Sequence, residues 1–234
     1  MDAWEIYAGT SRVARQDSKI CYGTSRANVN LLLYNYAKKD SNIKIFLNHK
    51  LVSINNKDKE VLFDNNGKMV KVSAFKIIGA DGVNSVVRAH LEKTFKLKTE
   101  VIRWTNTHRG LFGVPGEKNK DLDPGIHYIM NSTYIAAVMN EGRLTWSFSM
   151  TANINDDEEE NRTILATSPT PENIKKLKSL IKKRAPMILK SLTEEEIVKY
   201  FSRRSFNSSI VKCERYNQDE WILLLGDAAH SVLP

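Results

Sequence analysis

A mixed α/β fold with an inserted block of strands is what this 234-residue sequence predicts, on three observations. Two short apolar runs, KIIGADG (76–82) and WILLLGD (221–227), break on glycine and aspartate, as buried strands do when they stop at a turn. Between them, residues 98–150 alternate apolar and polar side chains, the period of antiparallel strands with one covered face. Helical spacing occurs on both sides of that block, so strands and helices are interleaved.

Each element follows from its local pattern. SRANVNLLLYNYAKK (25–39) has apolar residues at 29, 32, 33, 36 and 37 and opens on Ser25 and Arg26, which predicts a helix. IKIFLN (43–48) and KLVSIN (50–55) read as strands. KEVLFDNNGKMVKVSA (59–74) is a hairpin, because Asn-Asn-Gly supplies the positive-φ residues of a tight turn. KIIGADG is a strand and SVVRAHLEK (85–93) the helix after it. IHYIM, TYIAAVM and RLTWSFSM predict neighbouring antiparallel strands, with turns at GVPGEKNKDLDPG and NEG. The acidic run NDDEEEN (155–161) reads as a solvated loop. KKLKSLIKKR (175–184) reads as a helix with Ile174, Leu177, Leu180 and Ile181 on one face, stopped by Pro186. A further helix starts at Thr193, where Thr193 and Glu196 fit the capping box that satisfies two orphan amides. No fixed-period repeat or low-complexity segment occurs.

Bulk properties exclude several classes. The formal charge of +8 is spread along the chain, and its one cluster, at 175–184, lacks the aromatics that nucleic-acid or membrane binding would want. It reads as a solvated helix face, so no nucleic-acid partner is expected. Cys21 and Cys213 stand far apart with no partner at metal-ligand spacing, which suits a reducing compartment and predicts no metal site. MDAWEIYAGTSR carries acids and no long apolar core, unlike a signal peptide, and the longest apolar run, around 221–225, cannot span a bilayer. An intracellular location, cytoplasmic or organelle-associated, is expected, with no transmembrane segment.

The glycine-ended strands carry the chemistry. A buried parallel strand ending in Gly-Asp puts a carboxylate at the carboxyl edge of a sheet, where open α/β sheets bind ligands. Glycine admits a close backbone approach and aspartate accepts from a sugar or polyol hydroxyl. Gly226 and Asp227 make one such pair, with Ala228 and Ala229 small enough for a cofactor to lie against. Gly79, Asp81 and Gly82 offer the same chemistry again. Either dipeptide alone is equally a strand-to-loop turn with a helix-capping aspartate. His230 has no evident serine or carboxylate partner for a triad, so no catalytic residue is assigned.

The longer strings are more specific. GADGVNSVVR (79–88) precedes GDAAHSVLP (226–234), their aspartates about 146 positions apart, and RANVNLLL upstream puts an arginine at a helix start. This combination resembles the FAD-dependent aromatic-ring monooxygenases, the p-hydroxybenzoate hydroxylase-like group, and its layout is similar to that of kynurenine 3-monooxygenases. Their signatures are G-A-D-G-x-x-S-x-V-R and G-D-A-A-H-x-x-x-P. The resemblance implies an FAD/NAD(P)-binding Rossmann-like domain at 1–96, an inserted mixed-sheet substrate domain at 97–214, and a return to the first domain at 215–234.

The resemblance also implies roles. Asp227 matches the aspartate that bonds the ribityl chain of FAD, flanked by Gly226 and Ala228, with Pro234 near the isoalloxazine ring. Arg26 matches the helix-start arginine near the FAD pyrophosphate. Gly79, Asp81 and Gly82 match the segment serving FAD and NADPH, and Arg88 ends it, as a functional group or as a plain ion pair. The implied reaction has NADPH (or NADH) reducing the flavin, oxygen adding at flavin C4a, and one oxygen atom passing to a small aromatic substrate. His127, Tyr128, Tyr134 and Trp146 are candidates for lining the substrate, or simply for filling the core.

The family's GxGxxG turn occurs nowhere in the chain, and Pro234 is its last residue. The expectation is therefore a chain truncated at both ends, binding FAD weakly or not at all, and inactive alone. Kynurenine is one of several aromatic or polycyclic substrates compatible with the sequence. Two rival readings are a non-catalytic remnant and a basic surface-binding module, the latter marked by salt-dependent retention on polyanions.

Overall fold

The computed structural model describes residues 1–19, 23–115, 120–140 and 142–232. Cys21 and Pro234 lie outside the described residues. The chain divides into two compact units, Met1–Lys39 with Thr105–Asn207 and Asp40–Trp104 with Ser208–Pro234. The segment expected as 1–96 is thus shared between them.

In chain order, the first unit opens with β1 (Ala3–Ala8), β2 (Ser11–Asp17) and α1 (Arg26–Ala37). The second supplies β3 (His49–Asn55), β4 (Glu60–Asn65), β5 (Lys68–Ser73), β6 (Ile77–Gly79) and α2 (Val86–Phe95). The long β7 (Thr99–Pro115) leads back to the first unit, which continues with β8 (Ile126–Met130), β9 (Thr133–Asn140), β10 (Arg143–Asn153), α3 (Glu159–Leu165), α4 (Pro171–Arg184), a 3₁₀ turn (Pro186–Ser191) and α5 (Glu194–Tyr200). After β11 (Phe206–Cys213) the second unit closes with β12 (Asn217–Gln218), β13 (Ile222–Leu224), a 3₁₀ turn (Gly226–Ala228) and β14 (His230–Ser231).

The first unit is a sheet in the order β7-β10-β9-β8-β1-β2, with helices on one face. Every pairing is antiparallel except β1 with β8. Alternation sorts its residues. Trp146, Phe148, Met150, Ile135 and Leu111 are buried together with Leu177, Ile181, Ile197 and Tyr200 from the helices. The other phase, including Trp4, His127, Tyr134, Phe112, Thr145 and Ser147, occupies the opposite face.

The β1–β2 hairpin was not anticipated, because Glu5 falls on the buried phase of its strand and resembles a surface residue in sequence. It is 3% exposed. Arg12 and Arg15 each reach its Oε1 at 2.8 Å and the Tyr7 hydroxyl donates to Oε2 at 2.9 Å. Burial pushes its pKa up, but the hydrogen bonds from Arg12, Tyr7 and Arg15 outweigh that and hold it below the usual glutamate value. A lowered folded-state pKa gives stability that is fully present above the unfolded value, about 4.3, and is lost as pH falls through the folded value. Glu5→Gln is therefore expected to flatten the acid limb of the stability profile below about pH 4.5, as measured by urea denaturation across pH.

Three local expectations are corrected, and helix α1 forms as expected. The second half of the acidic run is the first turn of α3, where Glu159 and Glu160 complement the helix dipole. Residues 43–48 form no strand: no described neighbour pairs with them, and Ile43, Ile45, Phe46 and Leu47 remain exposed. Helix α1 forms over the expected span, capped by Ser25, yet buries no residue; Leu32, Leu33 and Tyr36 face out. Thr193 caps α5 by accepting from the Glu196 amide at 3.2 Å, but the Glu196 carboxylate goes elsewhere. Helix α4 matches its pattern, and its cations pair internally: Lys176 with Glu159 and Glu172, Lys178 with Glu194, Lys183 and Arg184 with Glu160. That leaves little of a basic patch.

In the second unit β3, β4 and β5 form an antiparallel meander, turning at Asn66 and Gly67 as the sequence predicts. A second sheet, β12-β13-β6, packs with α2 around Val87, Leu91, Trp221, Ile222 and Leu224. Among the described residues no helix is long and apolar enough to cross a membrane.

Candidate functional site

In the second unit, β6 and β13 run parallel as neighbours, with Ile77, Ile78 and Gly79 opposite Ile222, Leu223 and Leu224. The Leu225 amide donates to the Gly79 carbonyl at 2.9 Å, so pairing continues to the strand ends. Two strings far apart in sequence are thereby delivered to one carboxyl edge, the edge at which open α/β sheets hold ligands.

Local chemistry shapes each loop. A Cβ on Gly79 would stand 2.7 Å from Val87 Cβ, so glycine is what lets β6 lie against α2. Gly82 lies in the loop between them. The Asp81 carboxylate accepts from the Ser85 hydroxyl at 2.5 Å and from the amides of Val86 and Val87 at 2.7 and 3.2 Å. Asp81 therefore caps helix α2. Ser85 Oγ in turn accepts from the Arg88 amide at 2.9 Å.

Arg88 is neither a surface ion pair nor a free cation. It is 6% exposed, and its guanidinium donates to the carbonyls of Ala228 at 2.9 Å and Val83 at 2.6 Å, with Glu92 at 3.5 Å. It fastens the first loop to the second. Ala228 and Ala229 are buried, whereas Gly226 and Asp227 are exposed. Gly226 has φ +59° with open space where a side chain would stand. Asp227 makes no hydrogen bond or ion pair among the described residues, so its carboxylate is available to a ligand. His230 is exposed beside the Tyr216 ring, 5.8 Å between centroids.

Arg26 belongs to the first unit. It is the exposed first residue of α1, whose cap Ser25 accepts from the Asn28 amide at 3.1 Å. Thr24 bridges to Met139 of β9, which sets the helix start against the sheet. There a cavity of about 390 Å³ opens between Thr24, Ser25 and Arg26 on one side and Phe112, Thr145 and Ser147 on the other.

The substrate candidates separate by face. His127 and Tyr134 are together: the Tyr134 hydroxyl lies 2.6 Å from His127 Nδ1, and both rings pack on Trp4. Burial, then the N-terminal ammonium, lowers the His127 pKa and favours the neutral ring. Trp146 does not join them; it is 0% exposed, on the helix side, stacked with Phe148 at 6.5 Å. Tyr128 is also buried there, its hydroxyl accepting from the Asp123 amide at 2.7 Å. Sequence reasoning missed Phe112, Thr145 and Ser147. The signal was present in RLTWSFSM, where threonine and serines alternate with the large apolar residues.

The sequence profile of the family described as FAD binding domain matches residues 9–234. The chain belongs to this FAD-binding family. Within it, the chain is 29% identical over 221 residues to the kynurenine 3-monooxygenase of Drosophila willistoni, covering 91% of this chain and 45% of that protein. It is 27% identical over 224 residues to the kynurenine 3-monooxygenase of Legionella pneumophila (strain Lens), covering 90% and 45%. Among solved structures, p-nitrophenol 4-monooxygenase from Pseudomonas putida DLL-E4 matches with a TM-score of 0.67 at 15% identity, over 100% of this chain and 57% of that one, a likeness of fold. The chain thus spans about 45% of the length of these curated relatives. The mixed α/β class expected from the sequence is the fold of this FAD-binding family.

Proposed function

We propose that this chain is part of a flavin-dependent monooxygenase of the kynurenine 3-monooxygenase kind, using NADPH or NADH and molecular oxygen to hydroxylate a small aromatic substrate. The observation that supports it best is the side-by-side placement of β6 and β13, which presents Asp227 unpartnered at a carboxyl edge. The residues suit FAD. Gly226 leaves open space for a ligand, Ala228 offers a smooth buried floor, and Asp227 can accept from a ribityl hydroxyl. Gly79 and Gly82 with the capping Asp81 shape the adjoining loop, and Arg88 holds the Ala228 carbonyl; in the first unit, Arg26 stands exposed at the start of α1, a cation suited to a phosphate. Bound FAD would supply the oxygen activation that no side chain provides. On the substrate side, Phe112 offers a ring face while Thr145 and Ser147 offer hydroxyls to orient an aromatic ring, with His127, Tyr134 and Trp4 on the same face.

Titration of the 234-residue chain with FAD, followed by flavin fluorescence, is the test. Weak, saturable binding is expected, with Kd raised about tenfold by Asp227→Ala, the value of one charge-assisted hydrogen bond. Equal affinities of the unmodified chain and Asp227→Ala would overturn the role given to Asp227.

A further inference from the structure

Glu196 occupies the third position of α5, from which its carboxylate could reach back and complete the capping box with Thr193. Instead it crosses to the sheet. Its Oε1 accepts from the Phe112 amide of β7 at 2.5 Å, and both its oxygens accept from Arg203, the Nη2 bond at 2.7 Å. Arg203 also donates to the Gly110 carbonyl at 3.4 Å, and its guanidinium lies over the Phe112 ring, 5.0 Å from the centroid. The Glu196 and Arg203 side chains are 11% and 24% exposed, so this is a shielded, two-pronged pair rather than a loose surface contact. Phe112 is therefore held by its backbone and by one ring face. It pairs with Ser147 where the β7–β10 register shifts between Thr145 and Ser147, and with these two residues it forms the wall of the cavity that faces the start of α1.

We infer that Glu196 and Arg203 are positioning residues for that cavity: together they fix the Phe112 ring and so set the width of the slot open to an aromatic ligand. The inference rests on reading the cavity as the substrate site. Lysine at 203 would keep the charge but lose the planar fork that both pairs with Glu196 and stacks on the ring. Glutamine at 196 would keep an acceptor for the Phe112 amide but lose the charge that orders Arg203.

The first readout needs no ligand. With 4-fluorophenylalanine at position 112 of the 234-residue chain, a single sharp fluorine resonance is expected. It should shift and broaden in Arg203→Lys and in Glu196→Gln. An unchanged resonance in both variants would overturn the inference. The second readout is binding of L-kynurenine as a probe. Phe112→Ala and Arg203→Lys should each weaken it about fivefold, and the double variant no more than either alone, because both act through one ring. Multiplied losses of about 25-fold would show that Arg203 acts independently of Phe112 and overturn the inference. No binding by the unmodified chain would count against the substrate reading instead, and the fluorine result would still decide the positioning role.

Discussion

Replacing Trp146 by alanine is expected to cost the strand-and-helix unit about 4 kcal/mol, the range for emptying a packed aromatic site. The side chain is 0% exposed and stands in one core with Phe148, Leu177, Ile181 and Tyr200, so a cavity there cannot collapse onto solvent. For a unit of this size the loss corresponds to a fall of about 10 °C in Tm, readable by circular dichroism. Trp146→Phe should cost far less, about 1 kcal/mol. The indole Nε1 is buried without a partner among the described residues, so phenylalanine keeps most of the ring contacts and removes an unsatisfied donor. If Trp146 lined a ligand site instead, Trp146→Ala would change ligand affinity and leave Tm nearly unmoved.

Replacing Arg88 by methionine is expected to cost about 3 kcal/mol in the other unit. Two carbonyls, of Ala228 and Val83, would lose charged donors while staying shielded from water. Part of that is returned because a buried guanidinium no longer has to be desolvated. Lysine should recover little, since one ammonium cannot reproduce a fork that reaches two carbonyls. Thermal unfolding and amide hydrogen exchange along α2 measure the effect. Faster exchange at Val86 and Val87, together with a lower Tm, is the expected signature of a residue that ties two loops together. A residue that only touched a ligand would leave both unchanged in the absence of that ligand.

How much of this was legible beforehand depends on how far each residue's partner lies along the chain. The turn at Asn66-Gly67, the cap at Ser25, the buried stripe of α4 and the two glycine-ended strands all follow from neighbours within a few positions. Asp81 could be read as ligand acceptor or as helix cap, and only the folded α2 settled which donors reach it first. Trp146 drew notice because it is large and aromatic. Its phase on β10, one residue out of step with Thr145 and Ser147, decided that it belongs to the core. Residues 43–48 show the reverse case: β-rich composition produced no strand where no described neighbour completes the ladder.

The sequence by itself determined the class of fold and several of the turns, because periodicity, glycine and capping residues act locally and leave local marks, and the strings GADGVNSVVR and GDAAHSVLP carried the likeness to the family. Tertiary structure alone decided which face each strand residue takes, that Arg88 spans from α2 to the Ala228 carbonyl, and that Glu196 leaves its own helix for Phe112. A buried charge takes whichever partners packing brings within about 3 Å, and those partners lie 140 and 84 positions away, where no local pattern records them.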